Sequence, residues 1–162
     1  MADDTMELHK GFLRRAIVLA VKNVEAGNGG PFGAVMVREG KVVAEAGNSV
    51  FATNDPTAHA EVNAIRAACQ KLGVFRLDGC TLYTSSEPCP MCLAACYWAH
   101  LDSIFYAANA EDAARAGFDD AFLYRELALP VSERTLPAEE MLREEAQAGF
   151  AAWDVSPYKQ PY

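Results

Sequence analysis

The residues best suited to chemistry in this chain are His59-Ala60-Glu61 and, thirty positions beyond His59, Pro88-Cys89-Pro90-Met91-Cys92. Both stretches fall at expected helix starts. Two cysteines three apart in a first helical turn lie on nearly one face, where the helix dipole and unpaired N–H groups favour thiolates. One imidazole and two thiolates form a ligand set whose charge balances Zn²⁺ and leaves the fourth tetrahedral position for water, the arrangement of a catalytic site. One zinc per chain, held by His59, Cys89 and Cys92, is therefore expected, with Glu61 as the general base beside it. The spacing of Glu61 is awkward. Two positions along a continuous helix turn a side chain about 200° away, so the pair works only if His59 sits where the helix begins.

Each feature has a plainer reading. A Cys-x-x-Cys pair in an α/β chain also serves dithiol redox chemistry, which requires neither His59 nor Glu61. A closed structural zinc site could recruit Cys96 or His100. Cys69, Cys80 and Cys96 otherwise read as small buried hydrophobes, and His9 and His100 as ordinary surface or core histidines. The run Gly27-Asn28-Gly29-Gly30-Pro31-Phe32-Gly33 follows a helix and lacks the Gly-Lys-Ser/Thr ending of a phosphate cradle. It reads as a close-approach loop into a strand, with Phe32 able to stack on a planar ligand.

The elements that must position these groups follow from periodicity. Leu8, Phe12, Ala16, Ala20 and Val24 share a helical face over residues 7–25. Ala34–Val37 and Val42–Ala46 flank Glu39-Gly40 as a hairpin. A second helix is expected from Thr57 to about Leu72, entered through Asp55-Pro56. Thr81–Thr84 is a strand feeding a helix that starts near Pro90 and runs to about Ala99. Ile104–Ala108 is a further strand, Glu111–Ala116 a short helix closed by Gly117, and Pro137–Trp153 a last helix, with a weakly specified strand near Arg134–Leu136. Strands separated by helices predict an α/β fold: a three-layer α/β/α sandwich around a mixed sheet of about five strands. The 162 residues are read as one domain, 1–162.

Charge narrows the partners. Residues 1–80 hold nine acids and nine bases, whereas 81–162 hold 13 acids and five bases, so the net charge of −8 sits in the second half. A nucleic acid polymer is thereby disfavoured, because such binding gains affinity from clustered Lys and Arg. Small neutral substrates remain. No apolar run approaches the ~20 residues of a membrane helix, the start Met-Ala-Asp-Asp-Thr is acidic where a secretory leader is basic, and five cysteines are an odd number. A cytoplasmic protein without a membrane partner is expected.

His-x-Glu with Pro-Cys-x-x-Cys is the pattern of the zinc-dependent nucleobase deaminases. Gly29–Val35, Asn54–Val62, Thr84–Cys92 and Ala116–Asp120 together resemble the bacterial guanine deaminases of the cytidine-deaminase-like fold, over almost the whole chain. Ser86 stands where Cys is expected. The resemblance implies that His59, Cys89 and Cys92 bind zinc and that Glu61 shuttles protons. It also implies that Phe32, Asn48 and Ala60 contact the base, and that Asp120, catalytic alongside Glu61, and Tyr162 complete the pocket. A guanine edge presents N1–H and the C2 amine as donors, so a carboxylate from Asp119 or Asp120 is the complementary acceptor, although the pair also reads as a solvated turn. Hydrolysis of guanine to xanthine and ammonia is the implied activity; guanosine, cytosine or tRNA adenosine are alternative substrates within the superfamily. A homodimer is also implied, with C-terminal segments exchanged between subunits and the tail 154–162 closing the active site. Trp153, Tyr158 and Tyr162 fit that role, being large aromatics where a dispensable terminus is usually small and polar.

Overall fold

The central strand of this fold is apolar on both faces. Ala34 and Met36 of β1 (Gly33–Arg38) point into one cluster with Leu82 and the alanines of a helix, while Val35 and Val37 point into another with Tyr83 and Ala16. A strand buried on both sides needs a helical layer on each, which is how the three layers arise. The computed structural model describes residues 2–161, so the expected role of Tyr162 lies outside the described residues.

The chain forms two compact units, Met1–Ala121 and Phe122–Tyr162. In the first, α1 (Ala2–Glu25) covers one face of the sheet, with Ala16 and Ala20 buried and Leu8 and Val24 half exposed. His9 stacks on Phe105 and bonds the Tyr83 hydroxyl at 2.7 Å, a structural histidine. Strands β1 and β2 (Lys41–Gly47) form the hairpin, with Glu39 and Gly40 at φ 49° and 71°, the left-handed pair that a tight two-residue turn requires. A short helix α2 (Val50–Thr53), without periodic signal in the sequence, precedes α3 (Ala60–Leu72). Then come β3 (Cys80–Ser86), α4 (Pro90–Trp98), β4 (Ser103–Ala108) and α5 (Ala110–Arg115). The sheet order is β2-β1-β3-β4; β1 is antiparallel to both neighbours, and β3 runs parallel to β4 through the α4 crossover.

Helix α6 (Asp120–Ala128) begins at the end of the first unit, and the second unit continues it with a 3₁₀ turn at Val131–Glu133 and α7 (Arg143–Asp154). The sheet has four strands among the described residues, not about five. The stretch expected to supply the fifth, near Arg134–Leu136, has its hydrogen bonds taken locally: the Glu126 carboxylate accepts from the Thr135 N–H at 2.7 Å, and Arg134 Nε donates to Leu129 O. The last helix starts at Arg143 and not at Pro137, because Leu142 adopts a left-handed conformation, φ 55°. None of the described residues of the second unit is buried. Among the described residues, no helix is long and apolar enough to cross a membrane.

Candidate active site

Helix α3 begins at Ala60, three residues later than expected, and this resolves the awkward spacing of Glu61. His59 is the residue before the helix, with extended backbone (φ −71°, ψ 155°), so its side chain does not follow the helical screw. Asp55 enforces the break by accepting from the Thr57 N–H and hydroxyl at 2.8 and 2.7 Å. Asn63 Nδ2 then ties the segment down by donating to Gly47 O, Ser49 Oγ and Ala58 O. Glu61 falls in the first helical turn, buried beside the cluster.

Cys89 plays the same part at α4. It precedes the helix with extended backbone (φ −65°, ψ 166°), Pro90 takes the first helical position, where its missing N–H costs nothing, and Cys92 follows within the first turn. These N-terminal positions usually hold Ser, Thr, Asp or Asn, whose side chains cap the helix. His59 and Cys89 make no such cap, and their side chains turn to one another instead.

His59 Nδ1 lies 3.6 Å from Cys89 Sγ and 3.5 Å from Cys92 Sγ, and the three ligand atoms are all within 4.8 Å of one another. A tetrahedral zinc about 2.3 Å from sulfur and about 2.05 Å from nitrogen separates those ligand atoms by about 3.6 Å. The residues therefore fit the ion, with Nδ1 as the nitrogen ligand. Neither Cys96 nor His100 joins the cluster among the described residues, and three protein ligands are the number that a catalytic zinc site uses. Burial pushes the Cys96 thiol up to about 12, as suits a core residue.

The cluster's own electrostatics favour one thiolate over two. The Cys89 thiol is lowered to about 4 by the Cys92 thiol and the His59 ring, against burial. Cys92 is pushed the other way, first by its hydrogen bond to Cys89, then by burial and by Glu61. One negative charge is thus accommodated and a second is opposed, which a divalent ion between the sulfurs would reverse. His59 is raised, chiefly by its hydrogen bond with Cys89. Burial raises Glu61 above the usual carboxylate range, and burial together with the Cys89 charge does the same for Asp120. A carboxyl raised by desolvation is suited to moving protons near neutral pH.

These groups line one cavity of about 200 Å³, to which His59, Glu61, Cys89, Asn48, Phe32 and Asp120 all contribute. Asn48 is buried, and its Oδ1 accepts from the Val50 N–H at 3.1 Å and the Gly30 N–H at 3.3 Å. That assignment leaves Nδ2–H₂ as the donor it offers to a ligand. Gly29 permits the approach, since a Cβ there would overlap Asn48 Oδ1. Phe32 meets Phe118 edge to face, centroids 4.9 Å apart and planes at 82°, and both rings line the cavity. Two residues expected to touch substrate are not among the residues lining the cavity. Ala60 is fully buried in the core cluster, and Asp119 is exposed and outside the cavity lining. Sequence reasoning did not single out Val50, Phe51, Pro56 or Glu87 as lining residues. Glu87 had a signal in its position two residues before Cys89, whereas Val50 and Phe51 depend on α2, which left none.

The comparisons with known proteins agree with this geometry. Residues 6–108 match the cytidine and deoxycytidylate deaminase zinc-binding region. A guanine deaminase of Bacillus subtilis is 54% identical over 154 residues, covering 95% of this chain and 99% of the relative. A crystal structure of guanine deaminase from Bacillus subtilis superposes with a TM-score of 0.92 at 54% identity, covering 95% of this chain and 98% of that one. A tRNA-specific adenosine deaminase of Agrobacterium fabrum is 48% identical over 79 residues, 49% of this chain and 52% of the relative. With a His59–Cys89–Cys92 cluster that could hold a metal ion, a buried glutamate beside it and near-complete overlap with a family member, the chain belongs to the cytidine and deoxycytidylate deaminase family of zinc-dependent enzymes.

Proposed function

We infer that the chain hydrolyses the C2 amine of guanine, giving xanthine and ammonia. The observation that carries this reading is the reach of the likeness. The guanine deaminase relative is matched along 95% of this chain, through the region that supplies Phe118 and Asp120, whereas the tRNA-specific relative is matched along 49%. The net charge of −8 also disfavours a polyanionic substrate.

His59, Cys89 and Cys92 hold the zinc. Once bound, the ion supplies the Lewis acidity that makes water a nucleophile near neutral pH and steadies charge as it develops on oxygen. Asn48 Nδ2 donates to an acceptor on the base, Phe32 packs on its plane, and Asp120 accepts from the donor edge that guanine presents. Cytosine and adenine offer an unprotonated ring nitrogen beside their amine, whose lone pair faces an ionised carboxylate unfavourably. Glu61 takes a proton from the attacking water and delivers it to the ring nitrogen beside C2, and its second transfer protonates the amine. The C2–O bond forms and the C2–N bond breaks; the two protons of water end on the ring nitrogen and on ammonia.

The enzyme acts as a cytoplasmic homodimer, with the tail 154–162, including Tyr162, closing a cavity. Support comes from the second unit, where Phe150, Trp153 and Tyr158 are large exposed apolar side chains and no described residue is buried. A segment with that surface needs another surface to cover it. The activity test is ammonia release from guanine, guanosine, cytosine and adenine. Guanine should react at least tenfold faster than the other three, by about 1.4 kcal/mol of transition-state discrimination. Equal or greater release from guanosine or cytosine would overturn the assignment.

A further inference from the structure

Glu87 lies between the last residue of β3 and the zinc-ligand turn, and it grips the next strand-to-helix connection with both its backbone and its side chain. Its N–H donates to Ala108 O at 2.8 Å, continuing the β3–β4 pairing beyond the strand ends. Its Oε2 accepts from the Ala110 N–H at 3.0 Å, at the first position of α5. From there the chain is braced at each step. Asn109 and Asp112 form a reciprocal cap on α5, the Phe118 N–H bonds Ala113 O at 3.0 Å across the turn at Gly117, and Phe118 packs against Phe32. Asp120 follows two residues later and faces the cavity that Glu87 also lines.

We propose that Glu87 is a positioning residue: through Ala110 it locks the arm 109–120 to the zinc-ligand turn, so that Phe118 and Asp120 meet the base in register with the group that is attacked. The segment that reads the substrate and the segment that carries out the chemistry come from different strands. Their relative placement within a fraction of an ångström is what a bond of this kind supplies.

The inference rests on guanine turnover being the activity, and wild-type turnover measured in the same series separates failure of that reading from failure of this one. Four variants are assayed for guanine kcat/KM, xanthine binding by calorimetry, zinc content and thermal unfolding. Glu87→Gln keeps an oxygen able to accept from Ala110 but not the charge, and should retain most of the turnover that Glu87→Ala loses. Glu87→Ala should lower kcat/KM about ten- to hundredfold, the scale of a lost hydrogen bond to a charged group, and weaken xanthine binding with zinc content unchanged. Ala110→Pro removes the same bond from its donor side at a helix position that tolerates proline, and should reproduce the loss even if Glu87→Ala folds poorly. Combined with Asp120→Asn, Glu87→Ala should cost little more than Asp120→Asn alone, because one acts through the other. The proposal is overturned if Glu87→Ala or Ala110→Pro turns over guanine at the wild-type rate. It is equally overturned if Glu87→Gln falls as far as Glu87→Ala, or if Glu87→Ala costs its full factor in the Asp120→Asn background.

Discussion

Replacing Asn48 by Asp separates the two jobs that the structure gives this side chain. Oδ1 holds the loop by accepting from the backbone N–H groups of Gly30 and Val50, and an aspartate oxygen can do the same. What changes is the other arm, where a donor to the base becomes an acceptor. An unmatched polar group in a desolvated site costs about 1–3 kcal/mol, or roughly 5- to 150-fold in rate. Glu61, Glu87 and Asp120 already place three carboxyl groups around the cavity, so a fourth puts the loss at the upper end, about a hundredfold in guanine kcat/KM. The buried extra carboxyl should also lower the melting temperature at neutral pH, with the difference from wild type shrinking on acidification. Asn48→Ala deletes both arms and orphans the two N–H groups, lowering Tm by about 4–8 °C, which corresponds to roughly 2 kcal/mol in a chain of this size. Steady-state xanthine formation and a melting curve on the three proteins decide the matter. If Asn48→Asp keeps guanine turnover within about threefold of wild type, less than 1 kcal/mol, Asn48 does not donate to the substrate.

Further outcomes follow from the same site. Glu61→Gln keeps size and zinc but removes the proton carrier, so kcat should fall by about 10⁴ or more, since more than one transfer is lost; near-wild-type turnover would move the proton work to Asp120. Burial raises the Asp120 carboxyl in the folded chain, so its contribution to stability is present at low pH and is lost as pH rises through the folded value. In the metal-free protein, Asp120→Asn should therefore melt higher than wild type at neutral pH, with the gap closing on acidification, while the zinc-loaded variant loses activity; a metal-free variant less stable at every pH would contradict this. Removing residues 157–162 should leave zinc and folding intact and lower guanine turnover at least tenfold, and a fully active truncation would show the tail to be packing alone.

The clustering of His59, Cys89 and Cys92 could be read from the sequence because these residue types are rare together and each stands at a helix start marked by proline or an Asp-Pro turn. Which helical position each occupies could not be read. His59 and Cys89 precede their helices, and that places Glu61 beside His59 despite the two-residue spacing. The core was similarly accessible: alternation in β1 and the Ala16–Ala20 face of α1 follow from local pattern. Harder to read were features set by tertiary hydrogen bonds. Glu126 captures Thr135 and removes the expected strand, Leu142 delays α7, and α2 is too short to show a period. Phe51 and Glu87 joined the cavity only once the topology had brought α2 and the β3–α4 turn together.

The central claim is hydrolysis at C2 of guanine, and turnover of guanine by the zinc-loaded protein in ¹⁸O-enriched water tests it most directly. The xanthine formed should carry the heavy oxygen at C2, with ammonia released in equal amount, and the label should vanish from the product pool when the Glu61→Gln protein replaces wild type. Xanthine without the label, or no xanthine from protein carrying its full complement of zinc, would contradict the account.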